Sequence, residues 1–145
     1  MERSSLWMRN SVYLPTVNKI GKFLDNNRKI CSFVAMLLYN VTITVDQDVH
    51  EDWLHWMQTV HIPAVMDTGM FLSYRLSRLL GHEHEDAEIF TVQYLVLDVG
   101  HLRRYQEEFA PRLQADHTQR YEGRFAAFRT IMEVITLENN PSPSL

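Results

Sequence analysis

The predicted elements of this chain follow the order strand, helix, strand, strand, helix, strand, which indicates an α+β fold of the ferredoxin-like βαββαβ class. Three observations carry this prediction. Four segments alternate apolar and polar residues, two longer segments repeat apolar residues at spacings of three and four, and a short polar turn joins the middle strands. Right-handed crossovers would place both helices on one face of a four-stranded antiparallel sheet.

The first strand and the first helix follow each other directly. Leu37–Val45 alternates apolar with polar side chains and is rich in β-branched residues, which indicates a strand. Asp46–Val65 then repeats apolar residues at helical spacing. We expect Asp46 or Asp48 to cap this helix, because a carboxylate there accepts hydrogen bonds from the first free backbone N–H groups.

The end of the first helix combines aromatic residues, histidines and a proline. Trp53, Met57 and His61 fall on the apolar face, whereas His55 falls on the opposite side. Pro63 lacks a backbone N–H and disfavours a helical residue before it. We therefore expect the helix to break or kink near His61.

The middle two strands form a predicted hairpin. Met70–Leu80 and Glu88–Leu97 both alternate, and the intervening loop Gly81–Asp86, with the sequence GHEHED, is polar. His82 and His84 have the His-x-His spacing that can bind a metal on a strand. A flexible acidic turn instead favours a solvated loop, which is our prediction here.

A second helix and a fourth strand complete the pattern. Asp98 is expected to cap this helix, and Pro111 is expected to kink it. Apolar residues recur along it at spacings of three and four: Leu102, Tyr105, Phe109 and Leu113. His101 and His117 are interpreted as surface and cap residues. Phe125–Ile135 alternates again and is the last predicted strand.

The predicted sheet has one face under the helices and one face without them. On the helix side we place Leu37, Met70, Phe90 and Phe128. On the other side the alternation predicts Leu38, Phe71, Leu79, Ile89, Leu95, Ile131 and Ile135. Monomers seldom leave so large an apolar patch in water. We therefore predict a homodimer, packed sheet to sheet with twofold symmetry as a dimeric α+β barrel.

Length and composition limit the class of protein. The chain has 145 residues, which suits one domain, and its 46% hydrophobic and 22% charged residues are typical of globular proteins. The single cysteine, Cys31, excludes an internal disulfide and a cysteine-based zinc site. A net charge of −4 argues against nucleic acid as a partner, and no apolar run is long enough for a membrane span. We expect a cytoplasmic protein.

Charge divides the chain near Met36. Residues 1–35 hold six basic and two acidic side chains, whereas residues 36–145 hold eight and sixteen. Because the first stretch has no sustained periodicity, we predict a weakly structured basic extension there. The ferredoxin-like domain is predicted over residues 36–137, followed by a disordered tail over residues 138–145.

Two sharper interpretations of the extension stay open. A basic start followed by ICSFVAMLLYNV has features of a signal peptide, with Arg28 and Lys29 as its charged end. Alternatively, Met36 is the biological start, and the residues before it are translated upstream sequence.

Long stretches of the chain resemble a known family. They are LLYNVTITVDQDVHEDWLHWMQTVHIPAVMDTG, YRLSRLL and VQYLVLDVGHLRRYQEEFAPRLQADHTQRYEGRFAAFRTIMEV. From Met36 to about Ile135 the chain resembles a bacterial family of unknown function in the dimeric α+β barrel superfamily. His61 and Pro63 are also similar to the His-Gly-Pro of the distant EthD-like branch, with Ile62 in place of the glycine. Cofactor-independent antibiotic-biosynthesis monooxygenases share this barrel. The resemblance therefore implies a dimeric α+β barrel fold but does not assign an activity.

His61 is the candidate catalytic residue. A histidine on an apolar helix face can act as a general base or orient a ligand, because its pKa can lie near the working pH. Trp53 and Met57 share this face and would line the ligand site. The structural alternative is a helix-end histidine that bonds a carbonyl of the last turn.

A second candidate group lies on the sheet face opposite the helices. The alternation places there Asn40, Thr42, Arg75, Gln93, Arg129 and Glu133. In a dimeric barrel this face points inward, where Arg75 and Arg129 would receive an anionic or carbonyl-bearing ligand. Asn40 and Gln93 would orient that ligand. The alternative is pairing of the arginines with Glu133, because burying an unpaired guanidinium costs several kcal/mol.

The chain shows no His-Glu-x-x-His motif, nucleophile elbow or glycine-rich phosphate loop, so we expect no metal and no cofactor. The leading hypothesis is a homodimeric α+β barrel protein that binds a small organic molecule. One alternative is a cofactor-independent monooxygenase or EthD-like enzyme, with His61, Asn40 and Arg75 nearest the chemistry. Another is a structural or regulatory interaction protein, favoured if large side chains such as Trp53 and Phe71 fill the interior.

Overall fold

The computed structural model describes residues 35–81 and 86–138, and within them the predicted order of strands and helices is confirmed. The strands are β1 (Leu37–Asp46), β2 (Ser73–Arg78), β3 (Ala87–Val96) and β4 (Phe125–Glu133). They form one antiparallel sheet in the order β2-β3-β1-β4, which is the ferredoxin-like arrangement. Three segments lie outside the described residues: the predicted extension up to residue 34, loop residues 82–85 and the tail from residue 139.

Helix α1 does not break near His61, and in place of the predicted break or kink it has a π-helical turn there. It runs through His50–Trp56, a π-helical turn at Met57–His61 and a final segment Ile62–Met66. The Ile62 N–H bonds the carbonyl of Met57, five residues back. The wider turn accommodates Pro63, whose missing N–H and bulky ring would otherwise disrupt an α-helical turn.

Helix α2 also contains a π-helical turn before a proline. It comprises Val99–Arg104, a π-helical turn at Tyr105–Phe109 and a longer segment Ala110–Arg120. The Ala110 N–H bonds the carbonyl of Tyr105, so the predicted kink at Pro111 takes the form of a π turn. The predicted cap is confirmed, because a carboxylate oxygen of Asp98 accepts a hydrogen bond of 2.9 Å from the backbone N–H of His101 in the first turn.

The predicted cap of α1 is wrong. Val49 occupies the cap position and provides no side-chain hydrogen bond. Asp46 instead ends β1 and accepts a hydrogen bond from Arg124 Nε at 2.7 Å, and Asp48 also accepts from this guanidinium. The two carboxylates therefore connect the start of α1 to the turn before β4.

The register of β4 reverses its predicted faces. Val41 of β1 lies opposite Arg129, and Tyr39 lies opposite Ile131, so these β4 residues face the helices. The predictions that Phe128 faces the helices and that Arg129, Ile131 and Glu133 face away are wrong. Apolar residues occur in both alternation sets of β4, so the pattern alone could not fix which face they occupy.

Phe71 also lies on the helix side rather than on the predicted opposite face. It is buried and contacts Tyr39, Tyr94 and Tyr105, with ring centroids 4.7 to 6.1 Å apart. Strand β2 begins only at Ser73, so the alternation predicted from Met70 does not hold for this residue.

The face opposite the helices keeps much of its predicted apolar character. Its register aligns Leu38 with Leu95 on one side and with Met132 on the other. Phe128 and Met132 are 61% and 39% exposed, and the hydrophobic core forms on the helix side without them. Exposed apolar side chains therefore lie on this face, although β4 contributes different residues to it than predicted.

Candidate functional site

A small cavity lies between the helices and the sheet, with a volume of about 30 Å³. That volume holds about two water molecules, since one water needs roughly 10–15 Å³ measured in this way. Strands β1 and β3 contribute Tyr39 and Tyr94, and the π turn of α2 contributes Tyr105. Apolar residues such as Val41 and Val92 form much of the remaining wall.

The π turn of α1 brings His61 to this cavity. Met57 and His61 are the first and last residues of that turn, and both line the cavity. The His61 ring lies 5.0 Å from the ring of Trp56 and 5.4 Å from that of His117, measured between centroids. Two histidines from different helices therefore meet at one end of the cavity.

His117 is held in a fixed orientation. Its Nε2 accepts a hydrogen bond of 2.8 Å from the indole Nε1–H of Trp53, and its ring stacks on Phe125 with centroids 4.0 Å apart. An indole N–H can only donate, so Nε2 carries no proton and the neutral ring carries its proton on Nδ1. The prediction that His117 is a surface residue is wrong, since only 7% of it is exposed.

Burial keeps both histidines neutral near pH 7. It lowers the pKa of His61 to about 4, and the charge of Arg129 adds to this effect, while Asp116 opposes it. Burial likewise lowers the pKa of His117 to about 3, with further contributions from His61 and Arg129. A neutral imidazole can accept a proton or a hydrogen bond, which is the form a general base needs.

The low pKa of these histidines predicts that acid destabilises the fold. Between the ordinary histidine pKa of 6.5 and the folded value, the unfolded chain binds more protons than the folded chain. The stability that comes from keeping these histidines neutral is therefore fully present above about pH 6.5. It is lost as the pH falls to about 4 for His61 and to about 3 for His117. Melting temperatures measured across this range should fall less steeply in His61→Gln than in wild type.

His55→Gln is the matched control for this measurement, because His55 lies on the exposed side of the same helix. Its melting curve should keep the wild-type dependence on pH. Equal slopes in wild type and in His61→Gln would contradict the assignment of a buried, neutral His61.

The tyrosines at the cavity are protonated hydrogen-bond donors. Burial raises the pKa of Tyr39, Tyr94 and Tyr105. At Tyr39 the guanidinium of Arg129 opposes this effect, through its charge and through a hydrogen bond to the hydroxyl. Arg129 and Gln114 line the cavity as well, and both are only half-buried. The cavity therefore has a buried tyrosine end and a more accessible end.

The predicted site residues fall into two groups. Met57, His61 and Arg129 line the cavity, whereas Trp53 does not line it and instead donates a hydrogen bond to His117, which does. These residues come from one helix and from the last strand, so the fold brings together parts of the chain that are distant in sequence.

The other predicted site residues lie elsewhere. Asn40, Gln93 and Arg75 are aligned across β1, β3 and β2 on the face opposite the helices. The Asn40 amide donates to the hydroxyls of Thr42 and Thr130, at 3.1 and 3.0 Å. Glu133 is exposed at the end of β4 and does not line the cavity.

Sequence reasoning missed His117, Gln114 and the three tyrosines as site residues. A usable signal existed for His117, because the apolar stripe of α2 reaches Leu113 and a further step of four residues gives position 117. Tyr39 and Tyr94 alternate with the apolar residues of the helix-side face, where side chains usually form the core. Their convergence on Tyr105 depends on long-range packing, which no local pattern encodes.

Two further properties concern only residues 35–81 and 86–138. No group of three or more His, Cys, Asp or Glu side chains in these ranges is arranged to hold a metal ion. None of the helices there combines the length and the apolar character needed to cross a membrane.

Comparison with known proteins agrees with the fold. A family model described as a domain of unknown function (DUF4286) matches residues 36–135. An ethyl tert-butyl ether D (EthD) family protein from Bacillus halodurans has 10% sequence identity and a TM-score of 0.54, covering 68% of this chain and 99% of that chain. No curated protein sequence shows significant similarity to the chain.

Two further solved structures are less similar. One is a protein described as an antibiotic biosynthesis monooxygenase from Bacillus cereus, with 11% identity and a TM-score of 0.49, covering 73% of this chain and 99% of that chain. The other is a dimeric ferredoxin-like protein of unknown function from Thermobifida fusca, with 15% identity and a TM-score of 0.48, covering 74% and 100%. The predicted resemblance to a family of unknown function with such structural relatives is confirmed.

Proposed function

The chain belongs to the DUF4286 family, whose function is unknown, and within that family we propose that it binds a small organic molecule at the cavity between helices and sheet. The observation that carries this proposal is the convergence of Arg129, His61 and three tyrosines on the lining of that cavity. The proposal refers to the domain predicted over residues 36–137.

The polar groups at the cavity favour binding over a purely structural role. Burying hydroxyls and imidazoles costs free energy unless they find partners, so a core built only for stability would use apolar side chains there. Titratable groups whose pKa values are shifted by burial also concentrate at functional sites. Large side chains such as Trp53 and Phe71 fill much of the interior, as an interaction protein would require, yet they leave a small cavity with polar groups in its lining.

The size of the cavity limits how a ligand can enter. Typical ligand pockets have volumes of roughly 300–1,000 Å³, far above the 30 Å³ found here. Only a small polar group fits inside, so the rest of the ligand would lie at the edge of the cavity, beside the half-buried His61 and Gln114.

We further propose that the protein is a homodimer in which the two sheets pack against each other through the faces opposite the helices. Phe128 and Met132 are exposed there, on the same face as Leu38 and Leu95. Packing two copies by a twofold axis would remove this apolar surface from water. The interface would use the face opposite the cavity, so each copy would keep its own ligand site.

A second candidate function is a cofactor-independent oxygenase or EthD-like enzyme. The observation that favours it is the neutral imidazole of His61 at the edge of the cavity, where it could remove a proton from a bound substrate. A pKa of about 4 makes His61 a weak base at pH 7, so binding remains the preferred proposal.

Native mass spectrometry of the purified protein, followed by thermal-shift screening of small organic molecules, tests the proposal. We expect a dimer mass, a co-purified or added ligand, and a higher melting temperature with that ligand. His61→Ala should remain folded and lose the ligand response, whereas the exposed control His55→Ala should keep it. A His61→Ala variant with a lower melting temperature but unchanged ligand binding would show that His61 is structural.

A further inference from the structure

We infer that the ligand of this cavity is a small organic carboxylate, which enters with its carboxylate first and is held by Arg129. This inference rests on the proposed function and adds the chemical class of the ligand. It depends on the charge of the lining, on the kind of polar groups there and on the size of the cavity.

The first argument is charge. Arg129 brings a guanidinium to the lining, and among the described residues no Asp or Glu lines the cavity. The charge of Arg129 acts on Tyr39, Tyr105 and both histidines, and at each of them it favours the less protonated form. At His61 the charge of Asp116, which is outside the lining, acts in the opposite sense. At Tyr39, Tyr105 and His117 the charge of Arg129 favours a bound anion over a bound cation.

The second argument is the supply of donors. The hydroxyls of Tyr39, Tyr94 and Tyr105 are protonated, because burial raises their pKa values. Hydroxyl and guanidinium donors form strong hydrogen bonds with an ionised oxygen acceptor. A carboxylate has two ionised oxygens that can accept from these donors, whereas an amide has one neutral oxygen and forms weaker hydrogen bonds with them.

The third argument is size. A cavity of about 30 Å³ accepts a flat carboxylate group but not a bulkier phosphate group. Phosphate also carries a second negative charge, and the described lining has no second guanidinium to pair with it. Val41 and Ala127 line the cavity and are half-buried, so they can contact an apolar group attached to the carboxylate. A short aliphatic or a monocyclic aromatic carboxylate matches these properties.

The test compares matched probes on the full chain. Benzoate with benzamide, propionate with propionamide, and inorganic phosphate are titrated against the wild-type protein by protein-observed NMR. We expect each carboxylate to bind about tenfold or more tightly than its amide, which is the effect of a charge-assisted hydrogen bond. Phosphate should bind more weakly than either carboxylate.

Arg129→Gln should abolish the preference for the carboxylate, whereas Arg112→Gln, on the exposed side of α2, should retain it. Arg129→Lys keeps the charge and should keep the preference at lower affinity, so it supplies the test if the glutamine variant does not fold. An amide that binds as tightly as its carboxylate, or phosphate that binds best, overturns this inference and leaves the proposed function standing. A wild-type protein that responds to no probe also overturns this inference, while the proposed function fails only if native mass spectrometry and the thermal-shift screen find no ligand either.

Discussion

Replacing Trp53 by alanine is expected to lower the free energy of unfolding by about 3–5 kcal/mol, the range seen when a large buried aromatic side chain is removed. Trp53 is fully buried, and its ring lies 4.9 Å from that of Phe90 between centroids. Its indole N–H also satisfies Nε2 of His117. Domains of this size have about 5–15 kcal/mol in total, so this variant should lose a large fraction of its stability.

Urea denaturation followed by circular dichroism measures this change. Trp56→Ala is the matched control: this tryptophan is only half-buried, so its loss should cost clearly less. Similar losses for the two alanine variants would contradict a special structural role for Trp53.

A double-mutant cycle separates the hydrogen bond from the packing of the ring. Trp53→Phe keeps an aromatic ring but leaves the buried His117 without its donor, which should cost about 1–3 kcal/mol beyond the loss of volume. Once His117 has been replaced by phenylalanine, the same Trp53→Phe change should lose this extra cost. Additive effects of the two changes would indicate that the hydrogen bond does not contribute to stability.

The same pair of residues connects stability with the candidate site. Trp53 fixes the ring of His117, and His117 in turn lies beside His61 at the cavity. Trp53→Phe should therefore also alter ligand affinity if the proposed site is correct, although the tryptophan itself does not line the cavity.

The fold was predictable because local pattern and topology agree. The alternation of Leu37–Val45 identified β1 and its faces correctly, since polar and apolar residues separate cleanly there. In β4 the chain places Phe125 in one alternation set and Phe128 in the other. Only the hydrogen-bonded register with β1 decides between them, and that register depends on a pairing across the whole domain.

The site was predictable only in part, for a related reason. Met57 and His61 share a helix face, which periodicity reveals. His117 has a polar side chain near a helix end, and its burial depends on a donor 64 residues earlier in the sequence. The π turns were not predicted, yet both end two residues before a proline, at Pro63 and at Pro111. A proline inside a strong apolar helical pattern is therefore consistent with a π turn as well as with a break.

Replacing Phe128 by lysine is expected to convert the proposed dimer into a monomer. Phe128 is 61% exposed and lies on the sheet face opposite the helices. In a twofold dimer both copies carry the substitution at the interface. An ammonium group buried there without a partner costs several kcal/mol, so the dissociation constant of the dimer should rise on the order of 100-fold or more. Multi-angle light scattering at fixed concentration measures the resulting mass.

Val60→Lys is the control for this substitution, because Val60 is 52% exposed on α1, outside the proposed interface. It introduces the same charge on another exposed apolar position and should leave the dimer intact. A monomeric wild type would remove the dimer from the proposal. A Phe128→Lys dimer as stable as wild type would instead place the interface elsewhere, and the apolar sheet face would then need a different partner to explain its exposed Phe128 and Met132.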